Sequence, residues 1–381
     1  FKLDQSYFNY STGLTMISKK FINLFGHPTR KFETDELTTF HMDIAASIQA
    51  VTEEVILKIT KYISEEYKFS NLCLAGGVAL NCVANGKILK QGLFKNIWIQ
   101  PAAGDAGGSL GSCLSVWFQK LKNQRNQLKN SELDHMKGSY LGPAFEESDI
   151  KNILEGCNAT YKKLNDNQLL DYIATKLSEG LVVGWFQGRM EFGPRALGNR
   201  SILADPRSET MQKDLNLKVK FRESFRPFAP AILYEDAKEW FNLNCSSPYM
   251  LFVEQINQKL KITDKENEKN VQGLESLKLK RSIIPAVTHV DYSARIQTVH
   301  KETNEKFYNL LKKFRDKTDC PLLVNTSFNV RGEPIVHSPL EAYQCFIGTG
   351  LDILVIENFV LLKKEQKNIE KYDYKSKFKL D

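Results

Sequence analysis

The sequence predicts an α/β protein because short apolar runs alternate with stretches of helical periodicity, and glycine-rich turns join them. Between residues 43 and 67, isoleucine and valine recur at intervals of three and four, which is typical of a helix with one face packed on a core. The apolar run 71–75 predicts a buried strand, 78–89 a helix and 96–100 a second strand. Residues 104–108 then open a helix that we expect to end near residue 119. Such alternation is typical of an α/β layer.

A second α/β unit is predicted to begin near residue 142, after a polar stretch over 120–137 that is rich in Lys, Asn, Gln and Glu. The pattern predicts three helices, over 165–179, 304–317 and 339–346. It predicts strands over 181–185 and 322–325, an extended segment over 286–299, and a strand or hairpin over 352–362. A charged insertion loop is predicted over 258–281. We therefore divide the chain into a first domain (1–125), a linker (126–141), a second domain (142–365) and a charged tail (366–381).

Size and composition narrow the class of protein. A chain of 381 residues is long enough for two domains with separate cores, and 42% hydrophobic with 25% charged residues is ordinary for a globular protein. No apolar run approaches the roughly 20 residues that span a bilayer. The seven cysteines are scattered without metal-type or redox spacing, so we expect reduced thiols in a cytoplasmic protein. The net charge is +7, but the sequence has no basic stripe with interleaved aromatic residues, which argues against nucleic-acid binding.

Two glycine-rich turns each connect a predicted strand to a predicted helix. Gly76, Gly77 and Asn81 belong to the first turn, whereas Gly104 and Gly107 belong to the second. Backbone N–H groups at such turns, with a helix dipole behind them, suit nucleotide phosphates. The alternative is structural, since glycine also permits close packing of a helix on a strand.

Asp105 stands between glycines in the second turn and has two interpretations. Its carboxylate suits a hard or borderline metal ion. It also suits the N-cap of the helix that follows. The pattern alone favours the cap.

Cations cluster in the second domain, on segments flanked by apolar residues. The residues that we single out there are Arg189, Arg195, Arg200, Lys220, Arg226, Arg295 and Arg331, with the polar Asn325 and Ser327 directly after a strand. A buried, unpaired charge costs several kcal/mol, so these cations must meet internal carboxylates, solvent or a ligand. A structural ion-pair network with Glu191, Asp205, Glu223 and Glu333 is one alternative, and a solvated surface loop is another. For the set as a whole, convergence on a polyphosphate or acyl phosphate is the favoured interpretation.

The histidines and cysteines indicate no covalent catalysis. The six histidines include no pair at helical metal-ligand spacing, and no Ser-His-Asp or Cys-His arrangement is evident. We therefore expect chemistry that depends on charge stabilisation.

Four of these segments together resemble a known family. Residues 74–82, 104–107, 192–207 and 325–334 are similar to the O-carbamoyltransferases of antibiotic and nodulation-factor biosynthesis, and the resemblance runs from residue 1 to about residue 362. It implies part of a Kae1-like domain, of the actin, sugar-kinase and Hsp70 type, followed by a YrdC-like α/β domain with a twisted mixed sheet. It also implies that carbamoyl phosphate and ATP, the latter with Mg²⁺, form carbamoyladenylate in the YrdC-like domain. The carbamoyl group would then pass to a hydroxyl of a sugar or other natural product, with Fe²⁺ bound in the Kae1-like domain.

The resemblance assigns roles to individual residues. The positions that match the adenylation site are Arg195, Lys220, Arg226, Arg295 and Ser327. Arg195 and Arg226 would clamp carbamoyl phosphate, Lys220 would neutralise phosphate charge, and Ser327 would hydrogen-bond the carbamoyl group. The positions expected to bind the nucleotide are Gly76, Gly77, Asn81, Gly104, Gly107, Arg189, Arg200, Asn325 and Arg331.

Asp105 matches the family's metal-binding aspartate, which raises the metal interpretation above the cap. The family's His-x-x-x-His metal motif has no counterpart here, and the chain begins at Phe1. We therefore expect a fragment with an incomplete iron site that retains the adenylation site. Two other functions stay open, namely threonylcarbamoyl-adenylate synthesis for tRNA modification and a non-catalytic nucleotide- or RNA-binding module. The sequence leaves the acceptor and the oligomeric state open.

Overall fold

The computed structural model describes residues 1–31, 34–128, 133–262, 271, 273–367, 374 and 377–378. The chain forms two compact units, Phe1–Lys68 and Phe69–Asp381. The boundary expected near residue 125 therefore lies inside the second unit. No helix in the described part of the chain combines the length and the apolar character that crossing a membrane requires.

The first unit contains two helices, α1 (Lys19–Phe25) and α2 (Thr39–Tyr67). The predicted helix over 43–67 is confirmed, and it begins earlier because Thr38 and His41 form a reciprocal capping box. Its apolar face is covered only in part, since Ile44, Val55 and Ile63 are half-buried, whereas the side chains of Ile48 and Val51 are more than half exposed. Periodicity specified the helix but not what covers its apolar face.

The second unit opens with the predicted strand–helix alternation. Strands β1 (Asn71–Leu74) and β2 (Asn96–Ile99) pair in parallel and are joined through α3 (Cys82–Gln91). Helix α4 (Asp105–Leu114) follows and continues into a wider turn over Ser115–Lys120. The Gly76 amide donates to the Ala103 carbonyl oxygen over 2.9 Å, so the two glycine-rich turns lie side by side.

A nine-stranded sheet forms the rest of the second unit. Its strands in chain order are β3 (Lys162–Lys163), β4 (Val183–Phe186), β5 (Arg200–Ala204), β6 (Ala229–Leu233), β7 (Phe252–Gln255), β8 (Ser293–Val299), β9 (Leu322–Ser327), β10 (Ile353–Ile356) and β11 (Phe359–Leu362). The helices are α5 (Glu147–Gly156), α6 (Asp166–Ser178), α7 (Met211–Asp214), α8 (Ala237–Trp240), α9 (Glu305–Thr318) and α10 (Pro339–Gly348).

The strand order is β3-β11-β10-β4-β5-β9-β6-β8-β7. Two neighbouring pairs are parallel, β10 with β4 and β6 with β8, and the other pairs are antiparallel. The α/β class and the mixed sheet are therefore confirmed. The helices predicted over 165–179, 304–317 and 339–346 are confirmed as α6, α9 and α10. Strands β5, β6 and β7 were not predicted, because charged and aromatic residues interrupt the apolar pattern around them.

Most of the core of this unit is one apolar cluster around the large sheet, and a smaller cluster lies where residues 69–120 meet that sheet. Every residue of β4, β5, β6 and β10 is buried, as expected for central strands that are covered on both faces. Helices α6 and α9 pack on each other against it. Their apolar faces explain why helical periodicity was visible in the sequence.

Residues 69–120 dock on the sheet at its β7 edge, through α3. A Cβ atom on Gly86 would lie 2.3 Å from the carbonyl oxygen of Val253, so only glycine allows this approach. The Asn85 amide donates to the carbonyl oxygens of Ala79 (2.8 Å) and Leu251 (3.1 Å). The predicted linker also contributes, because the half-buried Tyr140 donates from its hydroxyl to the Leu197 carbonyl oxygen over 2.8 Å.

Candidate anion-binding site

The loop between β4 and β5, residues 187–199, presents Arg195; we call it the arginine loop. Gly193 and Gly198 adopt φ values of 133° and 111°, which favour glycine. A Cβ atom on Gly198 would lie 2.3 Å from the ring of Phe307. The buried Glu191 carboxylate accepts hydrogen bonds from the amides of Leu197 (2.7 Å) and Asn199 (2.8 Å). The buried Glu191 carboxylate thus holds the loop in one conformation, and Arg195 lies between the two glycines.

Arg200 supports this loop and does not reach a ligand cavity, which corrects its predicted nucleotide contact. Its side chain is fully buried, and its guanidinium lies 3.5 Å from the ring centre of Phe186. It donates to the carbonyl oxygens of Gln187 (2.7 Å) and Asn199 (2.9 Å), and to two further carbonyls at 3.2 Å. Its two terminal nitrogens are therefore committed to the backbone, and its Nε atom is buried without a hydrogen-bond partner among the described residues.

A cavity of about 500 Å³, the cationic cavity, opens beside the arginine loop. Its cationic lining residues are Arg195, Arg222, Arg226 and Arg295, and its wall also includes Cys82, Val83, His289, Asn325, Thr326 and Ser327. No aspartate or glutamate is among its lining residues. Three separate segments of the sequence therefore bring four arginines to one place, as the cation clusters predicted.

Arg195 and Arg295 carry the strongest unbalanced charge in this cavity. Within the described ranges, neither guanidinium forms an ion pair with a carboxylate. The Nε atom of Arg195 is buried without a hydrogen-bond partner. Burial, and after it the charge of Arg295, lower the pKa of Arg195 to about 10. Burial also lowers the pKa of Arg295. Two desolvated cations side by side are stabilised by an anion that binds between them.

Glu223 partly balances the other arginines. Its carboxylate lies 3.1 Å from Arg226 Nε and 3.2 Å from an Arg331 terminal nitrogen. Arg222 donates to the Asn216 side-chain oxygen over 2.7 Å, and burial lowers its pKa to about 10. The ion-pair alternative therefore holds for Arg226 and Arg331, but it does not account for Arg195, Arg222 or Arg295.

Lys220 lines an adjoining cavity of about 350 Å³, the lysine cavity. Its ammonium donates to the carbonyl oxygen of Ser327 and to the Asn329 carbonyl (3.0 Å) and side-chain (2.8 Å) oxygens, and it lies 3.2 Å from Ser327 Oγ. Burial, and next the charge of Arg222, lower the pKa of Lys220 to about 7. Arg222, Arg226 and Ser327 line both cavities, so the two form a continuous cleft.

The remaining predicted residues divide between the cleft and its surroundings. Asn325 lines the cationic cavity and Arg331 the lysine cavity. Arg189 is exposed, donates to the Leu141 carbonyl oxygen over 3.2 Å, and lines neither cavity. Arg222 and His289 were missed as site residues. Arg222 lies in the 220–228 run that was noted for its cations, whereas nothing in the local sequence marks His289.

The glycine-rich turns lie outside both cavities. Gly107 is required by packing, since a Cβ atom there would lie 2.2 Å from the Ala102 carbonyl oxygen. Asn81 caps α3 by accepting from the Ala84 amide over 3.1 Å, which places the first turn of α3 at the cationic cavity. A direct nucleotide contact from Gly76, Gly77 or Gly104 stays a prediction.

Asp105 is exposed and is the first residue of α4; the N-cap is Gly104, so the predicted cap is wrong. In the described part of the chain, no group of three or more His, Cys, Asp or Glu side chains could hold a metal ion. The donors around Asp105 therefore do not fit a resident iron ion.

Family models match both parts of this chain. The model described as the carbamoyltransferase N-terminus matches residues 1–114, and the model described as the carbamoyltransferase C-terminus matches residues 174–363. The second match contains the arginine loop and every lining residue of the two cavities except Cys82 and Val83, which lie in the first match.

Proteins similar to this chain include three from bacteria. The uncharacterized protein sll1178 of Synechocystis is 55% identical over 100% of this chain and 62% of its own length. Nodulation protein NolNO of Sinorhizobium fredii is 38% identical over 86% of this chain and 45% of its own length. Nodulation protein NolO of Bradyrhizobium diazoefficiens is 39% identical over 86% of this chain and 56% of its own length. This chain thus spans roughly half of these relatives. The two family models, in the same order as the matched motifs, establish that the chain belongs to the carbamoyltransferase family.

Proposed function

We propose that the cationic and lysine cavities together bind carbamoyl phosphate and ATP and form carbamoyladenylate, whose carbamoyl group is passed to a hydroxyl of a small molecule. On this proposal the sheet-containing part of the chain is the YrdC-like adenylation domain, and residues 1–125 belong to a Kae1-like domain. Family membership supports a carbamoyl donor and an acceptor. The ATP dependence and the adenylate are inferred from the charge of the cleft and from the resemblance of the motifs.

The observation that carries the proposal is a pair of half-buried arginines in one cavity, neither of which has a carboxylate partner among the described residues. Arg195 and Arg295 lie in a cavity lined by four arginines and no acidic residue. Desolvated cations of this kind are stable when an anionic ligand satisfies them. Both proposed reactants are anions with phosphate oxygens that match the guanidinium fork.

The geometry allows a role for each predicted residue. Arg195 and Arg226 face one cavity and would hold the phosphate of the carbamoyl donor. Lys220 would neutralise the second reactant's phosphate charge from the lysine cavity. Ser327 lines both cavities and would hydrogen-bond the carbamoyl group between them. Holding two anions side by side lowers the entropic barrier, and the fixed cations stabilise charge on the transferred groups.

The conversion has a defined stoichiometry. Carbamoyl phosphate, ATP and one water give carbamoyladenylate, pyrophosphate and inorganic phosphate. Mg²⁺ bound to ATP would further neutralise the phosphates, and no residue of this chain is assigned to it. No step is assigned to iron, because the donors around Asp105 do not fit that ion.

The proposal is tested by incubating the protein with ATP and carbamoyl phosphate and measuring pyrophosphate release and the adenylate by mass spectrometry. We expect Arg195→Glu to lower pyrophosphate release by about 10²-fold or more, because a carboxylate would repel both reactants. Arg315→Gln is the matched control, since Arg315 pairs with Asp236 at 2.8 Å and does not line the cleft; it should keep full activity.

Two results would overturn the proposal. One is the absence of both products from a folded wild-type sample. The other is adenylate formation from bicarbonate and threonine in place of carbamoyl phosphate, which would indicate threonylcarbamoyl-adenylate synthesis.

A further inference from the structure

A third and larger cavity of about 880 Å³, the outer cavity, adjoins the cationic cavity. The two share three lining residues, Val83, Pro227 and His289. Both acidic and basic residues line the outer cavity, in contrast to the purely cationic wall on the other side. His289 is therefore the one imidazole, among the described residues, that faces both spaces.

Hydrogen bonds hold His289 in a compact turn. Its backbone amide donates to the Ser293 carbonyl oxygen over 2.8 Å, and its Nδ1 lies 3.2 Å from Ser293 Oγ. Ser293 Oγ in turn donates to Asp291 Oδ1 over 2.6 Å. These three side chains form a short relay that ends at the imidazole.

The relay determines the tautomer of His289. A hydroxyl has one proton, and Ser293 donates that proton to the Asp291 carboxylate, since an ionised carboxylate is only an acceptor. Ser293 Oγ must then accept from His289, so the imidazole proton lies on Nδ1. Nε2 is left unprotonated, and it has no hydrogen-bond partner among the residues that the structure describes. It is available as a proton acceptor.

The charges around His289 favour the neutral imidazole. Burial lowers its pKa from the ordinary value of 6.5, Asp291 opposes this shift, and Arg295 adds to it. The other charged groups on the two cavity walls are Arg195, Arg222 and Arg226 on the cationic side, and Glu209, Lys213, Glu275, Lys280 and Arg281 on the outer side. Glu209 and Lys280 are paired with each other at 2.6 Å.

We propose that His289 is a general base that takes a proton from a water entering through the outer cavity, as that water attacks the carbamoyl carbon of carbamoyl phosphate. This inference rests on the proposed function, whose stoichiometry requires one water. The water would enter through the outer cavity and give its proton to His289, whose imidazole Ser293 and Asp291 hold in position.

The step balances without another reactant. The water oxygen forms a bond to the carbamoyl carbon, one water proton moves to His289 Nε2, and the other passes to the departing phosphate. The bond between that carbon and the phosphate oxygen breaks, and inorganic phosphate leaves with the electron pair. Carbamate remains in the cleft for reaction with ATP.

The test is the pH dependence of phosphate release from carbamoyl phosphate in the presence of ATP, corrected for spontaneous decomposition. A protonated imidazole cannot accept a proton, so wild-type release should fall as the pH is lowered through the His289 pKa. His289→Gln should lower release by about 10²-fold and remove this acidic limb. Retention of the limb in a folded His289→Gln protein would overturn the proposal.

Two further variants keep the test informative if His289→Gln is unstable. Ser293→Ala removes the hydroxyl that fixes the proton on His289 Nδ1, and it should lower the rate by about tenfold. Asp291→Asn removes the negative charge beside the imidazole, and it should shift the acidic limb of the pH profile. A merely structural pair would change stability but leave the pH profile unmoved, which would contradict the proposal.

His300→Gln is the matched control. His300 is also buried and lies 2.9 Å from a serine hydroxyl, that of Ser246, but it lines none of the three cavities. It should keep the wild-type profile. The two possible failures can be told apart. If the proposed function is wrong, the wild-type protein should show no turnover. If only this inference is wrong, wild-type turnover should be intact and unchanged by His289→Gln.

Discussion

The two parts of the second unit, residues 69–121 and residues 142–367, bury their apolar side chains very differently. The large apolar side chains that are exposed in the short first part are Phe69, Val78, Val83, Leu114, Val116, Trp117 and Leu121. Those in the described residues of the much longer second part are Leu217, Tyr234, Ile283, Val290 and Leu340. The second part has a core of its own, whereas the first depends on the edge of the sheet.

This contrast indicates that residues 142–367 provide most of the stability of the unit, whereas residues 69–121 contribute part of the wall of the cleft. The cleft takes its arginines and lysine from 142–367, where the surrounding core holds them in place. Residues 69–121 contribute the first turn of α3, through Cys82 and Val83. Changes in the first part should therefore alter the wall of the cleft, and changes in the second should unfold the unit.

A matched pair of tryptophans gives the largest expected difference. Trp185 in β4 is 0% exposed, and Trp117 is 53% exposed. Trp185→Ala should lower the free energy of unfolding by about 3–5 kcal/mol, because it leaves a large cavity in the core. Trp117→Ala should change it by less than about 0.5 kcal/mol. Denaturant unfolding measures both values, and equal losses would contradict the contrast.

A matched pair of glycines tests the docking of α3. Gly86→Ala should destabilise the unit by about 1–3 kcal/mol, since its methyl group would meet the Val253 carbonyl. It should also weaken anion binding by moving Cys82 and Val83. Gly108→Ala in α4 has nothing within 4 Å of the new methyl group and should stabilise by up to about 1 kcal/mol. Hydrogen exchange of the α3 amides reports the docking, and unchanged protection in Gly86→Ala would refute it.

The smallest expected effect is a pH dependence that only the second part can supply. The pKa of Lys220 is lowered to about 7, so its ammonium is charged below that pH and is lost as the pH rises through it. Binding of sulfate, whose charge is constant near neutral pH, should weaken by about three- to tenfold between about pH 6 and 8.5. Calorimetric titration measures this slope, and Lys220→Met should remove it. A slope that persists in Lys220→Met would assign the pH dependence to another titratable group of the cleft, such as His289.

Prediction from sequence succeeded where the signal was local. The helices α6, α9 and α10 were visible because their apolar residues repeat with the helical period, and the strands β1 and β2 were visible as short apolar runs. Strand β5 was not, since it begins with Arg200, whose burial depends on four backbone carbonyls and a phenylalanine ring. A buried arginine has the same local signature as an exposed one.

The candidate site was predicted in part. Arg195, Arg226, Arg295 and Ser327 converge on one cavity, and Lys220 adjoins it, as the motifs indicated. The proposed role of His289 could not be predicted, because it depends on the position of this side chain between two cavities that exist only in the folded chain.

The sequence by itself determined the α/β class, the principal helices and the chemical type of the site, because backbone periodicity and side-chain charge are properties of a few neighbouring residues. The tertiary structure alone decided which cations lack partners. Lys220 meets Ser327 and Asn329 across more than a hundred residues of chain, and Arg195 and Arg295 are brought together over a similar separation. The energy of a buried charge depends on every group around it, so its role is settled only when the chain has folded.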